Sequence, residues 1–304
     1  MSDSNADTQD RPSTRRLFLT GTVMGAADLV PGVSGGTMAL VMGIYAEFIS
    51  ALASFDWDVI RSMVTLKWSG IRAAHWWLAL PLAAGMITAF VLLSGPILTV
   101  LNHPIQRIWL FAGFFGLVLG STFILLKRLR HTALTIALAI AGAAIAFMII
   151  QLAPIEGSGS SLSLFLSGMI AVSAMILPGI SGSFMLLILG EYEHVIGGIR
   201  ELEPNTFLAF GSGAAIGLFA FVRLLRMTLR KWHDPVMATL GGFLIGSLWK
   251  LWPWRLCTSV LAEVCLTESL IVPPDTNHFL IATAVAALGF AVVLGADYWQ
   301  AARS

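Results

Sequence analysis

Charge is what this sequence has least of. Only 12% of its 304 residues are Asp, Glu, Lys or Arg, while 57% are hydrophobic and the mean hydropathy is +0.83. A soluble domain carries roughly 25% charged residues, and half that share cannot solvate the surface of a globule. The net charge of +1 lacks the basic character of a nucleic-acid-binding surface. The six histidines are scattered, at His75, His103, His131, His194, His233 and His278. They form no metal cluster, and the chain has no Walker loop and no nucleophile elbow. No metal, cofactor or catalytic residue is expected, and the chain does not read as an enzyme. The two cysteines, Cys257 and Cys265, have neither zinc nor CxxC spacing. Both fall in a polar stretch. An oxidising compartment would make them a small disulfide loop, and otherwise they are two unpaired thiols.

What the chain does have is one motif written twice. Residues 31–45 read Pro-Gly-Val-Ser-Gly-Gly-Thr-Met-Ala-Leu-Val-Met-Gly-Ile-Tyr. Residues 178–192 read Pro-Gly-Ile-Ser-Gly-Ser-Phe-Met-Leu-Leu-Ile-Leu-Gly-Glu-Tyr, and eight of the fifteen positions are identical. Apolar segments broken at corresponding places by Pro-Gly point to a transport site at a repeat interface.

Several charge-free runs match the ~20 residues needed to cross a bilayer. The sequence therefore predicts an all-α polytopic membrane protein of two inverted repeats, each a re-entrant helical hairpin plus about three transmembrane helices. Residues 1–16 form a cytoplasmic tail; Arg15-Arg16 before an apolar run also fits a twin-arginine export signal. The first repeat, 17–153, holds a hairpin of two short helices over 17–54 and spans over 78–101, 108–126 and 132–153. One kinked span is the alternative to the hairpin. Between them, 55–77 mixes cations with Trp57, Trp68, Trp76 and Trp77, as an interfacial helix does. A linker over 154–161 leads to the second repeat, 162–299, with a hairpin over 162–199 and spans over 206–230, 235–252 and 279–296. Residues 253–277 are expected to be a polar loop.

Three spans per half is an odd number, so the second half enters the membrane from the other side. With the N-terminus inside, fourteen of the 18 Lys and Arg residues fall on the cytoplasmic side. That is the positive-inside bias of a multi-pass cytoplasmic-membrane protein with both termini cytoplasmic.

Each hairpin tip, Pro31-Gly32 and Pro178-Gly179, is followed by a helix start with unpaired N–H groups. The helix dipole and nearby hydroxyls make such a start a place for phosphate or carboxylate. Ser34, Gly35, Gly36, Thr37, Ser181, Gly182 and Ser183 are the candidate binders, with Arg223 as an electrostatic aid. Small residues that only pack against neighbouring helices are the plainer reading. Asp28, three residues before the first tip, and Glu47 are candidates for coupling to an ion gradient. A helix cap or an interfacial carboxylate is the alternative for Asp28.

The stretches Ala27-Asp28-Leu-Val-Pro-Gly-Val-Ser-Gly-Gly-Thr37 with Gly43-Ile-Tyr45, and Leu177-Pro-Gly-Ile-Ser-Gly-Ser183 with Gly190-Glu-Tyr192, resemble the polyprenyl-phosphate transporter family. These are the PopT-type undecaprenyl-phosphate translocases, formerly a domain of unknown function. The resemblance covers nearly the whole chain. It departs after the first Gly-Ile-Tyr, where the family usually has an acid and this chain has Ala46 before Glu47. It implies that undecaprenyl phosphate is carried across the bacterial cytoplasmic membrane for recycling in cell-wall synthesis. Membrane lipids and H+ or Na+ would be the other partners. A secondary transporter of a small soluble anion, or an ion exchanger, is the alternative. A lipid-facing opening at the site would separate the two.

Overall fold

The computed structural model describes residues 12–65, 67, 74–261, 264–273 and 275–301. Among them are thirteen α-helices and one two-stranded antiparallel sheet. The first half runs α1 Thr14–Asp28, α2 Gly35–Val41, α3 Tyr45–Ala53, α4 Trp57–Val64, α5 Trp76–Asn102, α6 Pro104–Arg128 and α7 Ala133–Ile150. The second runs α8 Ser161–Ile176, α9 Gly182–Ile188, α10 Tyr192–Arg200, α11 Pro204–Lys231 and α12 His233–Ser247. A 3-10 turn Leu248–Leu251, strands β1 Arg255–Leu261 and β2 Val264–Leu270, and α13 Thr276–Ala301 complete it.

Five of these helices, α5, α6, α7, α11 and α13, are long and apolar enough to cross a membrane. Their outer faces stay apolar: Leu92 is 63% exposed, Leu208 73% and Leu288 65%. Such continuous apolar surface is unfavourable in water and suits lipid.

The structure departs from the sequence expectation in three places. Residues 17–54 and 162–199 each form three helices where two were expected. A second break falls at Gly43 and Gly190, whose φ values of +71° and +70° no continuing α-helix allows. The expected span 235–252 is a 15-residue helix followed by the 3-10 turn. At about 1.5 Å per residue it is roughly 22 Å long, short of a ~30 Å hydrocarbon core. Pro253 blocks continuation, since the residue before a proline is disfavoured in the helical region. The expected polar loop 253–277 contains the β-hairpin, with Arg255 opposite Leu270 and Val260 opposite Cys265. The cysteine side chains, and with them the disulfide expectation, lie outside the described residues. So does most of 66–73 in the expected interfacial stretch, whose start is α4.

The long helices pair in four ways: α1 with α5, α8 with α11, α6 with α13 and α7 with α12. Exchanging the two halves carries the first pair onto the second and the third onto the fourth. Glycine brings backbones together in every pair. A Cβ on Gly85 would collide with the Phe18 carbonyl, on Gly213 with Phe165, on Gly116 with Ala286 and on Gly242 with Ala139. Small residues take this part between membrane helices because lipid supplies no hydrophobic drive for helix association, and close packing must replace it. Against this frame lie the two broken segments, α1–α3 and α8–α10. Met38, Ile44, Tyr45, Ile176 and Ile180 from these segments belong to the main core, while Leu164, Ala171, Leu186 and Val195 form a smaller cluster.

Candidate functional site

The repeated motif takes the same backbone twice. Gly32 and Gly179 have φ of +87° and +86°. In each copy the chain leaves a helix, turns at Pro-Gly and starts a seven-residue helix at Gly35 or Gly182.

The two breaks meet. The Gly179 N–H donates to Thr37 Oγ1 at 2.8 Å, and the Tyr45 hydroxyl donates to the Ile176 carbonyl at 3.2 Å. A Cβ on Gly36 would stand 2.7 Å from that same carbonyl. The carbonyl that α8 leaves unpaired at its end is thus satisfied by the other half of the chain.

The copies are not equivalent in what they expose. In the first, Ser34 Oγ accepts from the Thr37 N–H at 3.2 Å, and Asp28 Oδ1 accepts from the Gly35 N–H at 2.6 Å. Ser34, Gly35, Gly36 and Thr37 are buried, whereas Pro31 is exposed and Gly32 half-buried. In the second, Ser181 caps nothing; its hydroxyl lies 2.9 Å from that of Ser183. Ser181, Gly182 and Gly179 are half-buried, Ser183 is exposed and Pro178 is buried. Position 37 explains part of the asymmetry. Its counterpart is Phe184, which has no hydroxyl to reach the first break.

Asp28 Oδ2 is buried and without a hydrogen-bond partner. The carboxylate stands in the wall of a cavity of about 450 Å³. Gly35 and Gly36 share that wall, and the rest is apolar: Met24, Phe48, Trp76, Met86, Met175, Leu218 and neighbours from α1, α3, α5, α8 and α11. Leu80 and Met175, at 59% and 38% exposed, lie at its open side.

Two expected site residues lie elsewhere. Arg223, on α11, lines a separate shallow cavity with Arg226, Met227, Arg230 and Lys231. Glu47 is exposed on α3 and lines a third cavity of about 330 Å³ with Tyr45, Arg128, His233, Asp234 and Asp297. Arg128 and Asp297 form an ion pair there.

Two residues were missed as members of this region. Lys250, in the 3-10 turn, runs its aliphatic stem past Gly32, where an added Cβ would meet its Cγ at 2.9 Å. Its Nζ lies 4.8 Å from the centre of the Phe184 ring, so this cation touches both copies of the motif. The signal was present as a lone lysine in an apolar run. Glu191 is 0% exposed and accepts from the Ser158 and Gly159 N–H groups at 3.0 and 3.2 Å and from the Ser163 hydroxyl. His194 Nδ1 stands 3.3 Å from its other oxygen, an ion-pair approach without hydrogen-bond alignment. Glu191 ties residues 158–163 to the second break.

Comparison with known proteins decides the family. A model described as undecaprenyl phosphate translocase-like matches residues 24–266. The chain belongs to that family. A polyprenyl-phosphate transporter of Vibrio cholerae is 37% identical over 241 residues, 78% of this chain and 77% of the relative. One of Staphylococcus aureus is 33% identical over 275 residues, 84% and 92% of the two chains. No solved structure matches. The family is one of transporters, not enzymes.

Proposed function

We propose that this chain carries undecaprenyl phosphate across the bacterial cytoplasmic membrane, returning the lipid carrier for reuse in cell-wall synthesis. One observation carries the reading: the apolar cavity beside Asp28, Gly35 and Gly36, open at Leu80 and Met175. A small soluble anion has no use for an apolar chamber at its binding site, whereas an isoprenoid tail does. The similarity to polyprenyl-phosphate transporters from two organisms supports the same substrate class.

In this proposal the two halves, 17–153 and 162–299, are inverted repeats joined by 154–161. The two broken segments are re-entrant, and both termini are cytoplasmic. The phosphate is held first at the half-exposed second break by Ser181, Gly182 and Ser183. It passes to Ser34, Gly35, Gly36 and Thr37 when the contacts between the breaks open. Lys250, which touches both breaks, supplies the positive charge next to the phosphate; Arg223 acts at a distance. Asp28 is the coupling group, because its carboxylate holds the Gly35 amide that an incoming anion needs. A proton on Asp28 weakens its hold on that amide and removes the repulsion between two anions. Glu47, in its separate polar cavity, is a second stage for the ion.

The test is reconstitution of the full chain in liposomes with labelled undecaprenyl phosphate. Headgroup movement is followed with a pH gradient, with a sodium gradient and with neither. Movement stimulated by one gradient, and lost in Ser181→Ala/Ser183→Ala and in Lys250→Gln, is the expected result. Equal movement in empty liposomes, or in both variants, overturns the proposal.

A further inference from the structure

Four cations line one groove on α11. Arg223, Arg226, Arg230 and Lys231 bound a shallow cavity of about 400 Å³ together with Met227. Residues 223, 226 and 230 recur at helical spacing on one face. At about 1.5 Å per residue, the four charges fall within roughly 12 Å along the helix axis.

Two cations near the end of α6 have acids beside them. Arg128 pairs with Asp297, and Arg130 lies close enough to Asp234 to act on it electrostatically. Among the described residues, none of the four α11 cations makes an ion pair. Two of them meet aromatic rings instead. The Arg223 guanidinium lies 3.5 Å from the centre of the Phe219 ring, and Lys231 Nζ lies 4.5 Å from that of Trp232. A ring covers one face of a guanidinium and leaves its N–H edge for an acceptor. Leu224 and Met227, 51% and 59% exposed, flank the groove with apolar surface.

We propose that this groove is a docking site for the phosphate headgroup of a membrane lipid, distinct from the two breaks. Four like charges on two turns repel one another, and one multivalent anion neutralises several of them at once. Guanidinium forks match phosphate oxygens, and the flanking leucine and methionine give the acyl chains somewhere to lie. Charges that merely reach for water at a helix end would show no preference for a phosphate monoester.

The test uses the full chain in phosphatidylcholine nanodiscs containing phosphatidate or, separately, phosphatidylglycerol. Lipid kept after detergent extraction is read by native mass spectrometry. Phosphatidate should be kept over phosphatidylcholine, and Arg226→Gln/Arg230→Gln/Lys231→Gln should lower that retention at least about tenfold. Arg226→Lys/Arg230→Lys should restore part of it, since charge returns without the fork. Retention by the unaltered chain should fall as salt rises, a measurement that needs no variant to fold. Undiminished retention in the triple variant, indifference to salt, or no preference over phosphatidylcholine overturns the proposal. Displacement of phosphatidate by inorganic phosphate would make the site one for free phosphate and overturn the lipid assignment. The outcome is independent of transport: retention of phosphatidate by a chain that moves no polyprenyl phosphate would sink the transport reading and leave this one standing.

Discussion

Asp28 is the residue on which the coupling proposal turns. One of its oxygens is held by the Gly35 amide and the other is buried beside an apolar cavity with nothing to bond. An unpaired carboxylate in such a place carries a large desolvation cost, which a proton or a cation relieves. Asp28→Asn keeps the shape and the acceptor for Gly35 but cannot exchange a proton. Transport by this variant should no longer respond to the pH gradient, and unchanged stimulation by that gradient would rule out Asp28 as the coupling group. Glu191 makes the opposite case. Its bonds to Ser158, Gly159 and Ser163 give it a structural task. Glu191→Ala leaves three donors without their acceptor, at about 1–3 kcal/mol for each that stays buried. Thermal unfolding in detergent should show that loss of stability.

At the scale of elements, the breaks and the helix pairs depend on glycine for different reasons. Gly179 has φ +86° and sits against the Phe243 carbonyl, so a side chain there meets both strain and backbone. Gly85 has ordinary helical geometry and matters only because α1 passes so close. Gly85→Leu should push α1 from α5, an overpacking that costs about 1–3 kcal/mol or more. Fluorescence-detected size exclusion would show reduced monodisperse yield, and an unchanged profile would contradict the close contact with Phe18. Thr37→Val removes the hydroxyl that holds the Gly179 amide while keeping the volume. It should loosen the junction between the breaks, read as faster hydrogen exchange at Gly179.

At the scale of the whole molecule, the end of α6 and the start of α12 face one polar cavity, where Arg128, Leu129, His233 and Asp234 meet. In the proposed inverted arrangement, with both termini cytoplasmic, that side is the cytoplasmic one. Cysteines placed at His131→Cys and His233→Cys should then react with a membrane-impermeant maleimide only from the cytoplasmic side. His103→Cys and Glu203→Cys should react only from outside. Labelling of His103→Cys and His131→Cys from one and the same side would break the topology.

Much of this molecule was legible along the chain, because membrane-spanning helices announce themselves locally. Low charge, runs of about twenty apolar residues and Pro-Gly interruptions are properties of neighbouring residues, and they sufficed for a polytopic helical protein with two broken segments. The family could be read from the two motifs for the same reason. The β-hairpin at 255–270 and the second break at Gly43 and Gly190 were harder, since short strands and single-residue bends leave little periodic signal. Which groups share a cavity was decided only by tertiary packing. Asp28 and Glu47 look alike as lone acids, yet one lies beside the breaks and the other in a different chamber. Arg223 is the basic residue that the sequence offers as an electrostatic aid to phosphate binding, yet folding brings Lys250 to the breaks instead. A sequence orders residues along a line, and glycine-mediated contact between helices far apart on that line determines which of them meet.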